Sequence, residues 1–207
     1  MKTKFLTLII LLIFGIVGVS SKVFSQDLQN EMFINENSII NESVVNDKIN
    51  KNFEKINKSE NVKVFIEHKD ESKFSIFVKN SSSENLVLVP QDNSLYLIQE
   101  AIDKKGKWKP IEFWGFSTCG NSYDRKIKFN PNQIIELDSP KYRGDFSTKI
   151  RFKLRLNNQV YYSNSIPSTI NISKFQKSKW YNEYLEIFQM SPKSEIEDWL
   201  YLNKEVQ

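Results

Sequence analysis

From Phe146 to Leu156 the chain alternates apolar and polar residues almost without interruption. Phe146, Thr148, Ile150, Phe152, Leu154 and Leu156 fall on one side, and Ser147, Lys149, Arg151, Lys153 and Arg155 on the other. A period of two over this length predicts a β-strand with one face on a core and one in water. Two shorter alternations lie upstream, Val62, Val64, Ile66 and Phe74, Ile76, Val78, separated by Asp70-Glu71-Ser72. They predict an antiparallel hairpin. Leu86-Val87-Leu88-Val89, stopped by Pro90, reads as a short buried strand, and residues 95–102 as another. Residues 107–115, with Trp108, Ile111, Phe113 and Trp114, read as an edge strand interrupted by Pro110.

Residues 116–124 (FSTCGNSYD) then form a loop, and residues 125–137 two short strands around Asn130-Pro131-Asn132. Asp103-Lys104-Lys105-Gly106 and Asn157-Asn158 carry residues that tolerate positive φ, as tight turns require. The last strand falls within residues 160–172, broken at Pro167. Roughly seven to nine short strands joined by turns predict a mainly β fold, an immunoglobulin-like antiparallel β-sandwich over residues 61–173.

The flanks follow other patterns. Residues 1–25 begin with Lys2 and Lys4, run apolar from Phe5 to Val19 and end small and polar. This is the layout of a secretory signal, with cleavage expected before Gln26. The apolar run is shorter than a membrane span needs, so no transmembrane segment is expected in the mature chain. Residues 26–60 are rich in Asn, Glu, Lys and Ser and read as a polar tether with a weak helical tendency over 42–56. In residues 174–207, Trp180, Tyr184, Phe188 and Tyr181, Leu185 recur at helical spacing, and Ser191-Pro192 opens a second helix carrying Ile196, Trp199 and Leu200. This is a helical C-terminal appendage, whose apolar face either covers the sandwich or meets a partner.

The formal charge of +4 includes Lys2, Lys4 and Lys22, so the chain beyond residue 25 is close to neutral. That argues against bulk nucleic-acid binding. The single Cys, Cys119, excludes an intramolecular disulfide, so stability rests on a packed core.

Gly144-Asp145-Phe146-Ser147-Thr148 resembles the start of strand F in immunoglobulin-like domains, with Phe146 at the aromatic position and Thr148 where the cysteine stands. The corner hydroxyl and inter-sheet disulfide of antibody domains are thus both absent. Residues 74–89 are also similar to small exported or inhibitor-type bacterial sandwich domains. The resemblance implies a fold and transfers no functional residue.

The sequence offers no catalytic set, cofactor motif or metal site. One His and one Cys cannot supply the usual nitrogen and sulfur ligands, the carboxylates lack glycosidase or calcium-loop spacing, and no Gly-rich phosphate loop exists. Cys119 with His68 is the one possible thiol–imidazole pair, and His68 lies in phase with Val62, Val64 and Ile66 at the end of a core-facing row. Two candidate partner-binding groups remain. Phe113, Trp114 and Phe116 put large aromatics beside Gly115, either as a lid on the sandwich end or as contact anchors. Lys149, Arg151, Lys153 and Arg155 project from one strand face and could attract an anionic ligand, although such a ladder is also how an exposed face stays soluble, paired with Glu136 or Glu112.

The expectation is an exported, periplasmic or extracellular, non-catalytic binding or assembly module that meets an envelope or extracellular protein. The alternative is an inhibitor of a secreted hydrolase, acting through a sandwich loop.

Overall fold

The structure, a computed structural model, describes residues 31–33, 40–41, 47–56 and 60–204. The expected secretory signal at residues 1–25 lies outside the described residues.

The upstream hairpin forms as predicted. Strands β3 (Val62–His68) and β4 (Lys73–Asn80) pair antiparallel from Val62↔Asn80 to His68↔Phe74. Strand β10 (Ile134–Pro140) continues this sheet on the far side of β4, and β2 (Ile40–Asn41) ends it. The second large sheet is built on β11 (Phe146–Leu156), the long alternating strand. On one side β11 pairs with β6 (Leu97–Ile102), which pairs with β7 (Trp108–Pro110). On the other side its second half pairs with β12 (Gln159–Tyr162) and its first half with β13 (Ile166–Ile170).

Asn157 and Asn158 both adopt positive φ (48° and 61°), which makes the two-residue turn from β11 to β12. Gly106 (φ 75°) closes the β6–β7 turn. Gly144 marks a close backbone approach, since a Cβ there would sit 2.1 Å from Asn171 N.

The two large sheets share one apolar cluster. Val62, Val64, Ile66, Phe74, Ile76, Val78 and Leu137 come from the first, and Leu97, Ala101, Ile150, Phe152 and Leu154 from the second. Two departures from the sequence reading concern short runs. Residues 86–89 are not buried throughout: in β5 (Leu86–Leu88), Leu88 is enclosed while Val87 is exposed, because among the described residues β5 pairs only with β9 (Ile127–Phe129). Residues 107–115 divide into two strands. Past β7, Ile111 N–H still donates to Gln99 O of β6 at 3.0 Å, and the chain then leaves the sheet. Strand β8 (Glu112–Trp114) then pairs in parallel with β1 (Glu31–Phe33).

Parts of residues 26–60 are therefore integral to the fold. Strand β1 pairs β8, β2 pairs β10, and helix α1 (Asp47–Glu54) buries Ile49 and Phe53 against Phe77 and Ile134 on the outer face of the first sheet. At the C-terminus, α2 (Lys179–Ile187) and α3 (Lys193–Leu200) form a helical pair. Tyr181, Ile196, Trp199 and Leu200 pack on Phe113. The structure is thus a mainly β domain with a C-terminal helical pair.

Candidate functional site

The loop after β8 is held by one side chain. Gln91, 1% exposed, stands in a reverse turn whose middle residues Asp92 and Asn93 have positive φ. Its amide NH2 donates to Gly115 O at 2.9 Å, and its Oε1 accepts from Trp114 Nε1 and from Ser117 N, both at 3.2 Å. Within the loop, the Tyr123 hydroxyl donates to Ser117 O at 2.7 Å, and Ser117 Oγ accepts from Cys119 N at 3.1 Å. The loop is thus pre-organised by buried hydrogen bonds, which are costly to leave unmade.

Helix α2 lies against this loop. Its N-cap, Ser178, accepts from Tyr181 N, which sets the phase of the helix. In that phase Tyr181 faces inward and is fully buried, while Trp180, Tyr184 and Phe188 form a row at i, i+4 spacing, about 6 Å per step. Tyr184 and Phe188 stack with centroids 6.2 Å apart, and Tyr184 donates to Phe116 O at 3.3 Å. Burial raises the Tyr184 phenol above its ordinary value, so it stays neutral at physiological pH.

Between row and loop run two adjoining hollows of ≈ 370 and ≈ 390 Å³, sharing Phe116, Ser117, Thr118 and Phe188. Trp180, Glu183 and Ile187 bound the first, and Tyr96, Tyr123 and Arg155 the second. At the rim, Trp180 is 54% and Ile187 60% exposed. Several polar groups of the lining are already engaged. Glu183 pairs with Lys179 at 3.2 Å, the Tyr184 and Tyr123 hydroxyls donate to loop carbonyls, and the Arg155 guanidinium lies 5.2 Å from the Tyr96 ring centroid. The groove therefore presents chiefly ring faces and aliphatic side chains.

Of the three aromatics singled out in the sequence, Phe116 alone lines this groove. Phe113 and Trp114 are wholly enclosed and cannot serve as exposed anchors. They belong to β8, where Phe113 meets Tyr181 edge-on at 5.8 Å and Trp114 packs with Ile98 and Leu202. They form the lid rather than the contact. The Trp180–Tyr184–Phe188 row was visible as a second helical stripe, more than one buried helix face requires. Nothing in the sequence distinguishes Gln91 as the brace.

The basic ladder is divided. Lys149 is exposed, as expected. Arg151 is partly covered. It pairs with Glu100 at 2.6 Å, and its guanidinium lies 4.4 and 3.9 Å from the ring centroids of Trp108 and Tyr162. Lys153 and Arg155 are buried, contrary to the solvated face expected, because the end of the helical pair covers them. Lys153 Nζ donates to Tyr201 O at 2.8 Å and to Asn203 Oδ1, and Arg155 donates to Lys204 O. Of the two acids expected opposite the ladder, Glu136 pairs with Lys69 at 3.7 Å. Glu136 accepts from Ser75, and the buried Glu112 accepts from Gln99 and Tyr142.

The Tyr201 carbonyl is the C-cap carbonyl of α3, which ends in a Schellman turn. Leu202 N donates to Trp199 O and Asn203 N to Asp198 O, with Leu202 in the left-handed region at φ 56°. A leucine at this usually glycine position is held by complete burial against Trp114 and Ile98.

Cys119 is exposed, and His68 lies at the exposed end of β3 with its ring 5.4 Å from that of Phe74. Among the described residues no group of three or more His, Cys, Asp or Glu could hold a metal ion, and no helix is long and apolar enough to cross a membrane. Comparison with protein-family models, with curated proteins and with solved structures found no significant match to this chain.

Proposed function

We propose that this protein is an exported, non-catalytic binding module of immunoglobulin-like sandwich type, and that the groove between α2 and the loop after β8 is its recognition surface. The observation that carries this reading is the aromatic groove itself, whose lining includes the exposed Trp180 and Ile187. Contiguous apolar surface of this kind marks an interaction site more often than it ornaments a monomer. The occupant is a polypeptide segment of an envelope or extracellular protein that presents apolar side chains. A glycan is a poorer fit, because sugar recognition needs free directional hydrogen-bonding groups, and the Tyr184, Tyr123 and Ser117 side chains bond inward. The two sheets on one shared cluster support the sandwich assignment, and residues 1–25 carry the export assignment.

The hydrolase-inhibitor reading draws on a different feature, the bracing of residues 115–123 by Gln91. A loop fixed before binding loses little entropy on complex formation.

The test is site-specific photo-crosslinking in envelope extract, with a photoreactive residue at position 180 or 187 and a control at the exposed Ile172. Adducts to one protein from the groove positions alone, mapped to an apolar segment, are expected. A hydrolase active site as the adduct would favour the inhibitor reading. Equal adducts from Ile172, or none from the groove, would remove the groove as the site.

A further inference from the structure

The positive charge expected along β11 is concentrated elsewhere. With Arg151, Lys153 and Arg155 engaged, Lys149 is the ladder residue left in water, and it lies at the end of β11 next to the β6–β7 turn. Ile150 pairs with Ala101, and the Thr148 hydroxyl donates to Ile102 O at 2.7 Å. That turn carries Lys104, Lys105, Lys107 and Lys109, all exposed. Asp103 is its one acid, and it is occupied. Its carboxylate accepts from the backbone N–H groups of Lys107 and Lys105 at 3.0 and 2.8 Å and pairs with Lys109 at 3.0 Å. These bonds, the one from Lys107 first, hold its carboxyl down to about 2. Among the described residues no carboxylate pairs with Lys104, Lys105, Lys107 or Lys149.

From this juxtaposition we infer that the lysine-tipped end of the second sheet docks the protein peripherally on an anionic phospholipid surface. Charge complementarity sets the sign of the partner, and shape sets its kind. The lysines are all exposed on one hairpin turn, an arrangement that suits an extended surface rather than a pocket for a small anion. Lysines act as hydrated point charges rather than as bidentate readers of one phosphate or sulfate. The neighbouring aromatic, Trp108, has its ring under the Arg151 guanidinium, so the patch offers no stacking platform for a nucleic-acid base. The chain beyond residue 25 is nearly neutral, so this local field is not a by-product of overall basicity. Lys149 stands roughly 20 Å along the strand from Arg155, which borders the aromatic groove. A protein attached by one end would hold its groove away from the lipid.

The test measures co-sedimentation with phosphatidylcholine vesicles, with and without phosphatidylglycerol, across ionic strength. Binding to the phosphatidylglycerol vesicles that weakens as salt rises is expected. Each surface lysine contributes about fivefold, so the triple variant Lys104→Ser, Lys105→Ser, Lys107→Ser should bind roughly a hundredfold more weakly. The corresponding triple Arg variant keeps the charge and should retain binding. Asp103 and Gly106 are untouched, so both variants should melt as the parent does. Three results would overturn the inference: no gain from phosphatidylglycerol, an undiminished Ser variant, or lysine-dependent binding to soluble heparin without binding to vesicles.

Discussion

The two ends of strand β11 start from the same pattern, an outward-facing cation at every second position, and arrive at opposite environments. At the Lys149 end the ammonium is in water beside a turn rich in other lysines. At the other end Lys153 donates to the C-cap carbonyl of α3, that of Tyr201, and Arg155 donates to Lys204 O in the segment that follows the helix. A helix C-terminus carries unsatisfied carbonyls and partial negative charge, which a cation relieves. Burial lowers the Lys153 ammonium below its ordinary value, a tendency that Glu100 opposes. Arg151, midway, is neither solvated nor capped but pinned between two rings and Glu100. The difference teaches that alternation specifies which face a cation takes, whereas its role depends on what the rest of the chain lays over that face.

The contrast can be tested by substitution. The largest effect is expected at Trp114, beneath the covered end. Trp114→Ala removes a fully enclosed ring and should cost about 3–5 kcal/mol in denaturant unfolding. A cost below about 1 kcal/mol would mean that the tail does not pack there. Next comes the direct comparison of the two lysines. Lys153→Ala strips the donor from the Tyr201 carbonyl and should cost about 1–3 kcal/mol. Lys149→Ala should stay within about 0.5 kcal/mol of the parent. Equal costs would erase the distinction between the two ends.

The smallest effect concerns acid. Glu197 on α3 has its carboxyl held below the ordinary value of 4.5, first by its hydrogen bond from Lys177 and then by that from Tyr181. An acid with a lowered folded-state value stabilises the fold above its unfolded value. That contribution fades as pH falls below 4.5 through the folded value. Thermal melts should therefore decline more steeply with acid in the parent than in Glu197→Gln. Identical slopes would show that the Lys177–Glu197 contact does not persist in solution.

Much of the strand pattern could be read from residues alone. The β3–β4 hairpin, β11, the Asn157-Asn158 turn and the two C-terminal helices rest on local periodicity and turn chemistry, which act over a few residues. The candidate site could be read only in part. Phe116 and the Trp180–Tyr184–Phe188 row were each visible, yet their meeting joins residues more than 60 apart. Phe113 and Trp114 stood in an expected edge strand, where an outward side chain could equally be a lid or a contact anchor. The parallel partner at residues 31–33 and the helical tail enclosed both rings and made them the lid.

By itself, then, the sequence determined the period-two strands, their turns and the helical tail, because φ/ψ preference and side-chain alternation are local properties. The tertiary structure alone decided which apolar stripe of α2 was buried and which was left to line a groove. It likewise decided which β11 cations would be covered by the C-terminal segment and which would remain in water. Those outcomes depend on long-range packing, where a single covering element converts a solvated charge into a buried, hydrogen-bonded one.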